Sequence, residues 1–276
     1  MRPALAILAA VLLASSAAAA ATPAPTAPDW RPVDPENTLV IDTNKGRIIV
    51  EMAPDVAPDH VAQIKALARQ HVYDGLTFFR VIDGFMDQTG DPQNTGEGSS
   101  SLPNLKAEFT FRRDAATPFV PAAAPMGESL GMLGSLPIIS LPDARMAQSP
   151  DHKVSSWVAY CPGVAGMARD DDPDSANSQF FLMRAAYPTL DAKYTAWGRV
   201  LVGQEVVDGI QTGEPPPDPD KMLQVRVLAD LPEAQRPKVS VMDVRGAAFA
   251  KLLAQVRQQR GADFSICDVV LPTRVG

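Results

Sequence analysis

The residues best suited to chemistry lie in FFRVIDGFMDQTGDP, residues 78–92. Arg80 interrupts one apolar run, Gln88 sits in a second, and Phe85 and Met86 lie between them. A guanidinium is planar, rigidly forked and always protonated, so it donates hydrogen bonds without titrating. Beside an apolar surface those donors are more effective, because the local dielectric falls. A single arginine in a strand is ordinarily an edge residue with an apolar stem and a solvated head. Other segments must therefore decide whether this one does more.

The elements that must position these side chains can be read locally. LTFFRVI, residues 76–82, is rich in β-branched and aromatic residues and suits a half-buried strand that Asp83 and Gly84 terminate. A two-residue Asp83-Gly84 loop pairs Arg80 with Asp87. A three-residue loop that includes Phe85 pairs it with Gln88. The sequence leaves this register open. TLVIDTNKGRIIVEM, residues 38–52, alternates around Asn44-Lys45-Gly46 and predicts a hairpin. Pro58 opens a helix on which Val61, Ile64 and Leu67, with Ala68, share one face. Further strands are predicted at 78–82, 180–183 and 196–202.

A chain of 276 residues with 46% hydrophobic content is long and apolar enough for one medium domain with extensions. Its net charge of −7 lacks the basic footprint that phosphate backbones require, so nucleic acid is not an expected partner. Residues 1–21 read as a signal peptide, with Arg2 as the positive region, Ala4–Leu13 as the apolar core and an alanine run offering a cleavage site near Ala20-Ala21. An exported, periplasmic protein is expected, with no stable membrane anchor. His60, His71 and His152 show no ligand spacing with each other or with the cysteines, so no metal is expected. Cys161 and Cys267 either form one disulfide in an oxidising compartment or remain as two buried thiols.

Downstream lie GVAGMARDDDPDSANSQFFLM, residues 163–183, and LDAKYTAWGRVLVGQEVVDGI, residues 190–210. With FFRVIDGFMDQTGDP and NTGEGSS they occur in a fixed order that resembles the cyclophilin family of peptidyl-prolyl cis/trans isomerases. The resemblance covers about residues 37–212, less one insertion, and is closest to exported bacterial members. It implies a mainly β fold, a closed eight-stranded antiparallel barrel capped by helices. It also implies an isomerase acting on proline-containing polypeptides, here unfolded or folding exported proteins, with no cofactor. By the same matching Arg80 and Gln88 are the catalytic pair. Phe85, Met86, Phe181 and Leu190 form the proline-ring pocket, the backbone at Arg169 pins the substrate main chain, and Ala168 and Gln179 line the adjoining cleft. Tyr194 stands where many members carry histidine and offers a phenolic donor instead. Thr189 replaces the tryptophan that the family uses to hold cyclosporin, so weak cyclosporin binding is expected. Asp83 replaces a frequent loop proline, which removes one support for the register.

Around this core the expected organisation is a Pro-rich linker at 22–36, a barrel domain at 37–231 and an extension at 232–276. A long loop insertion occupies about 112–160, rich in Pro, Met, Ala and Gly. It covers a flank of the barrel or forms a partner surface. Within it GESLG, residues 127–131, satisfies G-x-S-x-G, but it has no preceding β-run or following helix to make a nucleophile elbow. LQVRVLADL is expected to supply the closing strand of the barrel. The extension is predicted as β-α-β: VSVMDV, a helix carrying Phe249, Leu252, Leu253 and Val256, then FSICDVVL. The alternative function is a weakly active or inactive cyclophilin-like binding module for exported chains, which would need neither Arg80 nor Gln88.

Overall fold

The computed structural model describes residues 28–276. The expected signal peptide and residues 22–27 of the linker lie outside the described residues. An eight-stranded antiparallel sheet forms the centre, in the spatial order Met222–Val227, Thr38–Thr43, Gly46–Met52, Ala196–Val202, Val164–Met167, Phe180–Met183, Met86–Thr89 and Arg80–Ile82. The sheet curls until its first and last strands approach. Isolated bridges between Thr77 and Lys221 and between Val81 and Gly213 close the gap, in place of a continuous ladder. LQVRVLADL thus lies at the closing edge, where it was expected.

The helix Pro58–Arg69 begins on its proline, and the Glu108 carboxylate accepts from the Asp59 and His60 N–H groups at its first turn. Its buried face, with Val61, Ile64, Leu67 and Ala68, packs into the barrel against Leu39, Ile41, Phe78, Phe180 and Trp197. Period-2 alternation divides Phe180–Met183 between two layers. Phe180 and Leu182 point into the barrel, whereas Phe181 and Met183 point outward.

The outward layer differs from the expected organisation in three places. Residues 112–160 are not a loop: a five-stranded antiparallel sheet forms in the order Phe111–Arg113, Val154–Val158, Leu136–Ser140, Ser129–Leu133 and Phe119–Ala123. Pro121, Pro137 and Gly131 disfavour strands by local propensity, yet burial of Met132, Leu136, Ile138 and Val158 in the same cluster as Phe181 and Met183 outweighs it. This sheet therefore covers a flank of the barrel. GESLG lies at the entry of one of its strands. The linker and tail also cooperate, because Trp30–Pro32, read as linker, pairs with Val239–Met242, which pairs in turn with Thr273–Val275.

The helix of the extension spans Ala247–Arg260. FSICDVVL, expected as a strand, instead turns through a short 3₁₀ helix at Ile266–Asp268, and the final strand falls later. A reciprocal cap explains the shift: the Ser265 hydroxyl accepts from the Cys267 N–H at 3.2 Å and the Asp268 carboxylate accepts from the Ser265 N–H at 2.8 Å. Cys267 is joined to Cys161 in a disulfide that spans 106 residues of sequence. Of the two states left open for the cysteines, this is the one observed.

Candidate active site

The hairpin register puts Arg80 opposite Gln88, Val81 opposite Asp87 and Ile82 opposite Met86. Gly84 adopts φ +65°, and the Phe85 N–H donates to the Ile82 carbonyl at 3.1 Å. A turn with positive φ only at its second central residue is type II, whereas the two-residue hairpin loop expected of Asp-Gly needs positive φ at both. Phe85 consequently becomes the third loop residue, and its carbonyl accepts from the Arg184 N–H at 2.9 Å. The consequence is chemical: directly opposed side chains share a face, so Arg80 and Gln88 meet.

Their side chains form a chain of hydrogen bonds. Arg80 Nη1 donates to Gln88 Oε1 at 3.2 Å, and Gln88 Nε2 donates to Gln179 Oε1 at 2.9 Å. Gln179 Nε2 then donates to the carbonyls of Gly96 and Gly98 at 3.1 and 2.8 Å. The loop that presents those carbonyls is wrapped around Asp91. Burial works against ionisation there, but N–H groups of Gln93, Gly96 and Gly98 hold its carboxyl below the usual range. At the other end, Arg80 Nε donates to Glu214 Oε2 at 2.8 Å. Glu214 was not foreseen, for it lies 134 residues away in a proline-rich stretch with no local signal of function.

Beside this polar chain lies a recess of about 130 Å³, lined by Arg80, Phe85, Met86, Gln88, Ala168, Arg169, Phe181, Leu190 and Tyr194. Nine of the ten residues singled out from the sequence thus line one cavity, and the tenth, Gln179, lines the adjoining cleft of about 240 Å³ together with Gln88, Ala168 and Arg169. Phe181 is fixed by aromatic neighbours, with Tyr160 at 5.9 Å and Tyr194 edge-on at 6.1 Å between ring centroids. It also depends on Gly166: a Cβ there would stand 2.6 Å from Phe181 Cζ and 2.7 Å from the Tyr160 hydroxyl. Tyr160 is a second residue that sequence reasoning missed.

Arg169 has a divided role. Its guanidinium donates to the carbonyls of Lys193 and Asp170 and lies 4.5 Å from the Tyr194 ring centroid, which fixes the side chain in place. Its main-chain N–H and C=O make no hydrogen bond among the described residues, leaving an unpaired main-chain edge beside the recess. The Tyr194 hydroxyl, expected as a donor, likewise has no hydrogen-bond partner among the described residues. Arg80 stands at the mouth of the recess with its side chain 39% exposed. Its field is therefore partly solvated until something apolar fills the cavity.

A family model described as cyclophilin type peptidyl-prolyl cis-trans isomerase matches residues 38–228. The chain belongs to this family. Within it, a probable peptidyl-prolyl cis-trans isomerase of Brucella suis is 34% identical over 213 residues, which cover 71% of this chain and 85% of the relative. A peptidyl-prolyl cis-trans isomerase-like 1 protein of Aspergillus oryzae is 29% identical over 197 residues, 70% of this chain and 96% of the relative. Among solved structures, the cyclophilin AquaCyp293 of Hirschia baltica superposes with a TM-score of 0.83 at 37% identity, covering 89% of this chain and 93% of its own. That coverage is greater than residues 38–228 alone would give, so part of the chain outside the family match also superposes on this cyclophilin. The chain is thus an enzyme of the peptidyl-prolyl isomerase class on a mainly β, curled eight-stranded sheet.

Proposed function

We propose that this cyclophilin accelerates rotation about X-Pro bonds of exported polypeptides by non-covalent stabilisation of the twisted imide, with Arg80 as the donor. Rotation must break amide resonance against a barrier of about 18–20 kcal/mol. At the midpoint the proline nitrogen regains its lone pair and becomes an acceptor. A donor aimed at that atom favours the transition state over both ground states, which is the condition for raising kcat. Arg80 suits this role because it cannot deprotonate, and its Nη2 makes no hydrogen bond among the described residues. Gln88 orients the guanidinium. The proline ring enters the recess of Phe85, Met86, Phe181 and Leu190, expels water and strengthens the field of Arg80. The unpaired main chain of Arg169 takes the substrate backbone, with Ala168 and Gln179 beside it. Tyr194 closes the far wall.

The observation that carries this reading is that Arg80 and Gln88 line a preformed recess together with Phe85, Met86, Phe181 and Leu190. A charge-assisted hydrogen bond contributes about 1.5–3 kcal/mol, one to two powers of ten in rate. Arg80→Ala is therefore expected to slow cis-to-trans relaxation of a short X-Pro peptide by about 10- to 100-fold. Equal rates for the two proteins would remove the mechanism. Export to the periplasm is supported by the composition of residues 1–21 and by the Cys161–Cys267 disulfide, which suits an oxidising compartment. The weak cyclosporin binding expected from Thr189 belongs to the same reading.

A further inference from the structure

We propose that Glu214 is a positioning residue for Arg80, an anionic tether that aims the guanidinium at the recess. The inference rests on the reading of Arg80 as the catalytic donor. Glu214 and Gln88 hold two of the three guanidinium nitrogens, Nε at 2.8 Å and Nη1 at 3.2 Å. Two fixed points on a rigid planar group set its plane, and the third nitrogen is left to donate. Without the tether the arginine would depend on one long bond to a neutral amide. It sits on the last, three-residue strand of the sheet with its side chain 39% exposed, so a flexible stem would spread the guanidinium over several rotamers.

The carboxylate is itself held in place. Gly213 exchanges both main-chain hydrogen bonds with Val81, the residue after Arg80, at 2.8 and 2.9 Å. Only glycine fits there: φ is +151° and a Cβ would lie 2.5 Å from Pro216 Cα. The Asp220 carboxylate accepts from the Gln211 N–H at 2.8 Å and ties the base of the loop. Pro215, Pro216, Pro217 and Pro219 restrict φ between these anchors. A loop stiffened in this way loses little entropy when it holds a partner. Glu214 also partly neutralises the cation it positions. Its side chain is 55% exposed, so solvent screens that opposing field while the short hydrogen bond acts locally.

The test uses Glu214→Ala and Glu214→Gln in the full chain, assayed by exchange spectroscopy on an X-Pro peptide that resolves kcat from KM. Glu214→Ala is expected to lower kcat about 2- to 5-fold with KM unchanged. Glu214→Gln should recover most of the loss, because an amide oxygen still accepts from Nε. Placed on Arg80→Ala, Glu214→Ala should have no further effect. Faster turnover by Glu214→Ala would instead make the carboxylate a brake and overturn the proposal. So would an equal loss on both arginine and alanine backgrounds. If Arg80→Ala is slow but Glu214→Ala matches the parent protein, this inference fails alone; if Arg80→Ala retains full rate, the reading beneath it fails.

Discussion

Phe180 and Phe181 are consecutive, yet they belong to different layers. Phe180 lies inside the barrel, edge-on to Tyr73 at 5.4 Å and to Trp197 at 5.5 Å. Phe181 lies outside, in the recess, within a cluster that also holds Met132 and Ile138 of the inserted sheet and Phe249, Ile266 and Val269 of the tail. The inner layer draws on neither the inserted sheet nor the C-terminal extension. The outer layer is assembled from three distant segments and is the one that opens to solvent at Arg80. The added segments complete the apolar cluster to which the recess residues Met86, Phe181 and Leu190 belong.

The strongest way to break this comparison is to truncate each ring in turn. Large-to-small changes at buried aromatic positions cost about 3–5 kcal/mol. Phe180→Ala should lose stability of that order in urea unfolding while its folded fraction isomerises an X-Pro peptide at the parent rate. Phe181→Ala should also lose stability, but its folded fraction should show a raised KM, since the ring lines the recess. If Phe180→Ala impairs the folded enzyme as much as Phe181→Ala does, the layers are not functionally separate.

A second comparison acts on the outer layer only. The Cys161–Cys267 bond follows Tyr160, which backs Phe181, and fixes the tail against it. Replacing both cysteines by serine should cost about 2–4 kcal/mol, as expected for closing a long loop. Hydrogen exchange should locate the loss, with the helix Ala247–Arg260 losing protection before the strands around Phe180. Simultaneous loss in both would show that the layers unfold as one unit.

The same division explains what could be read in advance. The inner layer obeys local rules: alternation marked the hairpin at 38–52, helical spacing marked Val61, Ile64 and Leu67, and all are buried where expected. The recess was legible through the ordered motifs, although the register of Arg80 depended on whether one or two residues of Asp83-Gly84 took positive φ. The inserted strands were not legible, because Pro137 and Gly131 obscure a pattern that only their burial against the barrel restores. FSICDVVL misled for the opposite reason, since β-rich composition yielded to a side-chain cap at Ser265. Glu214 gave no sign at all, as its partner stands beside it only after the sheet has curled.

The smallest expected effect concerns pH and again falls on the outer layer. Asp191 follows the recess residue Leu190, and its Oδ1 accepts from the Tyr160 N–H at 2.8 Å. Burial pushes its carboxyl up to about 6, with the Tyr160 N–H working in the opposite direction. The native protein therefore keeps a proton that the unfolded chain releases near 4. This contribution to stability is complete below pH 4, is lost as pH rises through about 6, and is flat above that. Asp191→Asn keeps an acceptor for Tyr160 and removes the titration. The variant should match the parent protein near pH 4 and exceed it at pH 8. Because the site is partly exposed, the gain should be no more than about 1 kcal/mol. Thermal melts of both proteins across this range isolate Asp191, because every other titrating group cancels in the difference. A difference independent of pH would mean that the carboxyl is solvated, and that the outer layer is looser at Leu190 than its packing indicates.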